Sequence, residues 1–328
     1  MQKTCNKSWP SRRMIVLLLI GAAAVWGTLA AANASVPGAR EIADANGTFR
    51  CHQMQQEGGG IVIVDTKLGG VPAILRVPRY VNRPPIVLWH GFGPPASKRA
   101  LMNALPLDDV PALKVYLGLP LFGARAPIGG NKELLRRQTQ DFAMLLFKPA
   151  VVGAADELPS VVAALRRRGC MRSGDRIGLF GFSAGGVAVL IALARNDVAV
   201  SAAVLLNAST GLKASIRALE RVTKRPYAWT PAARLLADHT DAVRHASDIA
   251  RGDPPTALLI IQGDDDTILT SQPAKILQEA LRPYYGKKKS EGRLQLVLVH
   301  GMSHSWVDRP SSAAEVRMRT AKWFLKYR

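Results

Sequence analysis

The segment Gly181-Phe182-Ser183-Ala184-Gly185, followed by Gly186, constrains this chain more than any other. The apolar run 176–180 leads into it and reads as a buried strand. Residues 184–196 follow, apolar on nearly all sides, as a buried helix would be. A serine with glycines two positions away on either side, set between strand and helix, implies a turn too tight for larger side chains. Such a turn strains the serine backbone and lifts its hydroxyl above the sheet edge. The helix N-terminus then points its positive end at the hydroxyl.

Around this turn, strand and helix signals alternate. The runs 61–65 and 71–77 flank Gly69-Gly70 and predict a hairpin. Short apolar runs at 85–90, 114–119, 199–206, 256–262 and 294–299 predict further strands. Helical patterns cover 131–148, 150–168, 272–281 and 313–326. The expected class is α/β, with a mostly parallel central sheet covered by helices on both faces. The stretch 209–253 lacks strand signals and reads as a small helical cap or insertion. No internal repeat or low-complexity linker divides residues 35–328, so one domain is expected there.

Other residue clusters fall where partners for Ser183 are needed. His90-Gly91-Phe92-Gly93 ends an early strand, and its tight loop places the N–H of Phe92 where, with the N–H of Ala184, it would form an oxyanion hole. His90 itself reads as a loop prop. The strand at 256–262 runs into Gly263-Asp264-Asp265-Asp266. Adjacent carboxylates repel unless a positive group is near, and an imidazolium is such a group. The strand at 294–299 leads to His300-Gly301-Met302-Ser303-His304. His300 completes the strand, whereas His304 lies in the loop beyond, free to swing toward Ser183. The candidate catalytic set is therefore Ser183, Asp266 and His304. Phe92, Phe122, Phe182, Trp229 and Trp306 are candidates for lining a pocket, although aromatics in such folds are most often core.

The formal charge is +20. Its lysines and arginines are scattered without zinc-finger, RNP or basic-heptad spacing, so no specific nucleic-acid partner is expected. Basic runs such as 166–168 and 287–289 read as solvated turns. No Cys/His spacing suggests a metal, and no cofactor is implied. At the N-terminus, Lys3, Lys7, Arg12 and Arg13 precede an uncharged run from Met14 to Ala32, and then Ala32-Asn33-Ala34. That order predicts a signal peptide over 1–34, cleaved after Ala34, and export to the periplasm or outside. Membrane contact is expected through this segment alone. Arg12-Arg13 leaves both a twin-arginine and an ordinary basic leader open. Cys5 would leave with the leader. Cys51 and Cys170 remain, either as a disulfide or as two separate thiols.

On these motifs the chain resembles the α/β-hydrolase superfamily. Within it, the chain is similar to bacterial esterases grouped with dienelactone hydrolase and with the catalytic domain of prolyl oligopeptidase. The match runs from about Ile61 to the C-terminus in the family's order of nucleophile, acid and histidine. The oxyanion loop falls on His90–Gly93, the nucleophile turn on Gly181–Gly185, a G-x-x-D acid on Gly263–Asp266 and a G-x-x-H histidine on Gly301–His304. Dienelactone hydrolase carries cysteine where Ser183 stands, and prolyl oligopeptidases carry a propeller for which this chain has no room. The resemblance implies an α/β-hydrolase fold and serine-hydrolase chemistry and leaves the substrate open. Together with the leader, the expected function is an exported serine hydrolase acting on a small-molecule carboxylic ester. A peptidase or amidase with the same residues, a non-catalytic binding protein on the same fold and a basic adhesion protein are the alternatives.

Overall fold

A computed structural model describes residues 39–45, 47–51 and 60–327. The predicted leader over 1–34, with Cys5, lies outside the described residues. Among the described residues a single sheet has nine strands in the order β1-β2-β3-β5-β4-β6-β7-β8-β9. The strands are β1 (Ala39–Ala43), β2 (Ile61–Leu68), β3 (Val71–Val77), β4 (Arg83–Trp89), β5 (Ala112–Leu117), β6 (Ile177–Phe182), β7 (Val200–Leu206), β8 (Ala257–Gly263) and β9 (Leu294–Val299). Only β3 runs against its neighbours, pairing antiparallel with β2 and β5. The β2–β3 hairpin turns through Gly69 and Gly70, both at positive φ, where glycine carries no steric penalty.

The central strands are apolar on both sides because both faces are covered. Alternate residues of β4 and β6 enter opposite layers. Val87, Trp89 and Leu179 pack into one, and Ile86, Leu88, Phe180 and Phe182 into the other. The first layer holds α3 (Gly153–Arg167), α4 (Ala184–Arg195) and α8 (Ser271–Lys287). The second holds α1 (Lys98–Ala104) and α9 (Pro310–Tyr327).

Where one helix over 131–148 is expected, the chain forms two pieces. Helix α2 (Gly130–Asp141) ends at Asp141, whose backbone is extended and whose carboxylate caps Met144 N–H at 3.1 Å. A π-helical segment, Phe142–Val152, follows and contains Pro149, which has no N–H to donate to a regular α ladder. Between β7 and β8 lie α5 (Leu212–Thr223), α6 (Pro231–His239) and the short α7 (Ala246–Ile249).

Strand β1 lies in a polar stretch where the sequence carries no strand signal. It pairs parallel with β2 at the sheet edge. Asp44 then accepts from the N–H of Thr48 and Phe49, from Thr66 Oγ1 at 2.8 Å and from the Arg168 guanidinium at 3.0 Å. These bonds hold its carboxyl below the usual range against the opposing effect of burial. Beside them Cys51 and Cys170 are joined as a disulfide, with Cα atoms 5.0 Å apart. Of the two alternatives left open by the sequence, the structure has the pair.

Candidate active site

Five adjacent strands, β4-β6-β7-β8-β9, release their loops at the carboxyl edge of the sheet. Open α/β sheets bind ligands at this edge. His90–Gly93 follows β4, Ser183 follows β6, Asp264 to Asp266 follow β8, and His300 to His304 follow β9.

Ser183 has φ 52° and ψ −116°, a conformation that costs on the order of 1–3 kcal/mol and persists only when its surroundings enforce it. The enforcement is visible. Its N–H donates to Leu206 O at 2.9 Å, and its own carbonyl accepts from Gly186 N–H at 3.0 Å. A Cβ on Gly181 would lie 2.3 Å from Gly185 O, and one on Gly185 would lie 2.5 Å from His90 O. The spacing of glycines therefore reflects backbone packed directly on backbone.

His304 bridges to both predicted partners. Its Nε2 lies 3.1 Å from Ser183 Oγ, and its Nδ1 lies 2.8 Å from Asp266 Oδ2. The Asp266 side chain is fully buried. Its Oδ1 accepts from the N–H of Ile268 at 2.9 Å and of Leu269 at 2.8 Å, and Gln262 Nε2 lies 3.3 Å from Oδ2. The carboxylate plane is thus set before the imidazole meets it, and Nδ1–H is the tautomer it favours.

The remaining candidates separate cleanly. His90 is wholly buried; Nδ1 meets Gly91 O at 2.7 Å and Nε2 accepts from Leu119 N–H at 3.1 Å. Burial pushes its pKa down to about 4, so the neutral ring donates from Nδ1 and accepts at Nε2, bracing the loop. His300 is fully exposed and pairs with Asp264, not with Ser183. The loop carrying Phe92 comes close to the serine, since a Cβ on Gly91 would lie 2.8 Å from Ser183 Cβ. Ala184 is the first residue of α4, so its N–H is among those without an intrahelical acceptor.

The aromatic candidates divide in two. Phe92 stacks on Phe122 at 5.1 Å and meets Phe142 edge-on at 6.4 Å, forming a row beside the loop that follows β4. Phe182 and Trp306 are corrected to core: both are fully buried in the layer under α9, where Phe182 also supports the His304 ring at 5.3 Å. Trp229 packs edge-on against Tyr227 in the segment between α5 and α6. A cleft of about 610 Å³ opens beside Phe142, lined also by Leu219 and Tyr227. Another of about 610 Å³ lies between α6 and the far end of α4, away from Ser183.

Asn207, at the end of β7, was not singled out by its sequence. It is fully buried and bonds both the β8 and β9 loops. An asparagine after an apolar strand carries no signal in one sequence, and only the fold reveals what it touches. Among the described residues no cluster of His, Cys, Asp and Glu could hold a metal ion, and no helix is long and apolar enough to cross a membrane.

The model of the prolyl oligopeptidase family matches residues 151–328, more than half of the chain. The chain belongs to the prolyl oligopeptidase family. No curated protein matches it. Solved structures share the fold of this family member at low identity. TT1662 from Thermus thermophilus is 19% identical, with 81% of this chain and 99% of that one covered and a TM-score of 0.61. Porphyromonas gingivalis dipeptidyl peptidase 4 is 16% identical over 82% of this chain and 35% of its own, with a TM-score of 0.56. A hormone-sensitive lipase from a metagenome library is 18% identical, covering 84% and 88%, with a TM-score of 0.53. This prolyl oligopeptidase family member is accordingly a serine hydrolase of α/β-hydrolase fold.

Proposed function

We propose that the protein hydrolyses carboxylic esters through an acyl-enzyme on Ser183. The reading rests on one observation above all, the unbroken line from Asp266 through His304 to Ser183, with both bonds at hydrogen-bond length. His304 takes the Ser183 proton as Oγ attacks the ester carbonyl. The oxyanion that develops is met by the N–H groups of Phe92 and Ala184. The imidazolium is stabilised by Asp266, then protonates the departing alkoxide. Water enters by the same route in reverse and releases the acid.

The substrate's apolar part is placed in the cleft beside Phe142, one ring from Phe92. Phe142, Leu219, Pro226 and Tyr227 offer it apolar surface, while Gln138, Asp141 and Arg225 in the same lining offer polar and charged contacts to the rest of the substrate. Peptides form the second reading. The ester reading comes first on the resemblance of the motifs at His90–Gly93, Gly181–Gly185, Gly263–Asp266 and Gly301–His304 to those of bacterial esterases. Export is proposed from the basic, apolar and small-residue order of 1–34 and is supported by the Cys51–Cys170 disulfide, a bond that persists in oxidising compartments.

The deciding experiment labels the purified protein with a fluorophosphonate and follows with a panel of esters and peptides. Labelling and ester turnover, both abolished by Ser183→Ala, are expected. Wild-type turnover by Ser183→Ala would refute the assignment, and turnover confined to peptides would replace esterase with peptidase. N-terminal sequencing of exported protein should find Ser35 first; a chain still beginning at Met1 refutes the cleavage.

A further inference from the structure

The end of β7 touches every loop that carries the Ser183–His304–Asp266 line. Leu206 O accepts from the N–H of Ser183. The next residue, Asn207, donates its own N–H to Ile261 O at 2.9 Å in β8. Its side chain then reaches two loops at once. Oδ1 accepts from Gly263 N–H at 2.8 Å, at the start of the acid loop. Nδ2 donates to Ser303 O at 3.0 Å and to His304 O at 3.2 Å, inside the histidine loop.

The amide can be oriented only one way. Gly263 N–H is a donor and both loop carbonyls are acceptors, so turning the amide over would break every contact. The backbone also selects this residue, with φ at +42°. Asparagine tolerates that region better than most residues. Glycine would accept the backbone and make none of the bonds. Aspartate would keep the bond to Gly263 and face two carbonyls with a carboxylate. The acid and histidine loops also press together here, since a Cβ on Gly263 would lie 2.0 Å from Met302 O. The crossing leaves no slack, and Asn207 is the side chain pinned at it.

We propose that Asn207 is a positioning residue that sets the spacing of the acid and histidine loops, so that the His304 ring spans Asp266 and Ser183. The proposal rests on the hydrolase reading. The His304 backbone lies in a loop outside any strand, and Asn207 Nδ2 is the side-chain donor that holds its carbonyl. A misplacement of about 1 Å in such a group costs on the order of a hundredfold in rate.

The test compares wild type with Asn207→Gly and Asn207→Asp, after circular dichroism and thermal unfolding establish that each is folded. Leu281→Ala, on the buried face of α8, serves as a control of reduced stability. Asn207→Gly and Asn207→Asp are expected to lose roughly 30- to 100-fold in kcat with KM changed less than about threefold. Wild type should show a downfield proton resonance from His304 Nδ1–H, which should weaken or vanish in both variants and persist in Leu281→Ala. Retention of that resonance and of kcat within about threefold in either folded variant overturns the proposal, as does equal loss of kcat in Leu281→Ala. If Asn207→Gly fails to fold, Asn207→Asp alone decides. If Ser183→Ala retains turnover, the hydrolase reading has failed, and the resonance, which needs no substrate, still judges the clamp.

Discussion

Asp264 Oδ2 lies 3.0 Å from His300 Nδ1, forming a second carboxylate–imidazole pair beside the one between Asp266 and His304. The two pairs differ in surroundings. The His300 side chain is 100% exposed and Asp264 37%, whereas His304 is 15% exposed and Asp266 0%. Asp264 also accepts from Gly301 N–H at 2.7 Å, and Arg309 donates to Gly301 O at 2.6 Å. The outer pair therefore ties down the turn from which the inner histidine departs.

The aspartates should separate by kinetics. Asp266→Asn puts an amide where Nδ1–H needs an acceptor, and the analogous change in a serine protease costs about ten-thousand-fold in turnover. A loss of roughly a thousandfold or more in kcat is expected at Asp266, against less than about tenfold for Asp264→Asn. Steady-state kinetics of both variants on a responsive ester check this. A large loss at Asp264 alone reassigns the acid.

The histidines should separate by titration. The hydrogen bond and charge of Asp264 raise the His300 pKa above the usual imidazole value. Proton NMR should place the His300 midpoint above that of a free imidazole, and Asp264→Asn should bring it back down. Whatever this pair adds to stability is present between the lowered pKa of Asp264 and the raised pKa of His300. It fades as pH rises through the folded His300 pKa or falls through the folded Asp264 pKa. His300→Ala should keep turnover within about threefold, whereas His304→Ala should lose several orders of magnitude.

His90 should make the fold acid-sensitive. Its folded pKa is about 4 because burial penalises the charged ring, against the ordinary imidazole value of 6.5. Between those values the unfolded chain binds the extra proton, so stability falls as pH drops from about 6.5 toward 4. The loss amounts to roughly 3 kcal/mol. Urea unfolding at several pH values measures it. A His90→Gln variant should show a flatter profile, and an unchanged slope would refute the assignment to His90.

The disulfide should stabilise the fold by closing a long loop, an effect that grows only with the logarithm of loop length. Cys51 and Cys170 are 119 residues apart in sequence. Replacing both with alanine should cost about 2–4 kcal/mol. Thermal unfolding with and without reductant, on wild type and the double variant, checks it. An unchanged Tm in both comparisons would mean that Asp44–Arg168 and β1 already hold the segment.

Much of the fold and of the candidate site was legible in the residues. Gly181 and Gly185 flank Ser183 because the turn packs backbone against backbone, and that need is written locally. The central strands announced themselves by apolar runs, since parallel strands are buried on both faces. Asp266 and His304 were reachable by their places after late strands.

The rest depended on contacts between residues distant in sequence. Strand β1 has a polar, partly exposed sequence and exists because β2 offers it an edge and Asp44 a partner in Arg168. Trp306 and Phe182 were pocket candidates by type, and only packing under α9 makes them core. Pairing of the cysteines depended on two Cα atoms lying within reach. Asn207 shows the division most clearly. Its sequence setting is an ordinary polar residue after an apolar strand. Its place between Gly263 and His304 follows from three strands lying side by side, a relation set by the sheet as a whole. Local sequence determined the nucleophile turn and the strand pattern, because short-range sterics and hydrophobic period decide them. Tertiary structure alone decided the alignment of the loops, because hydrogen bonds there join residues from separate strands.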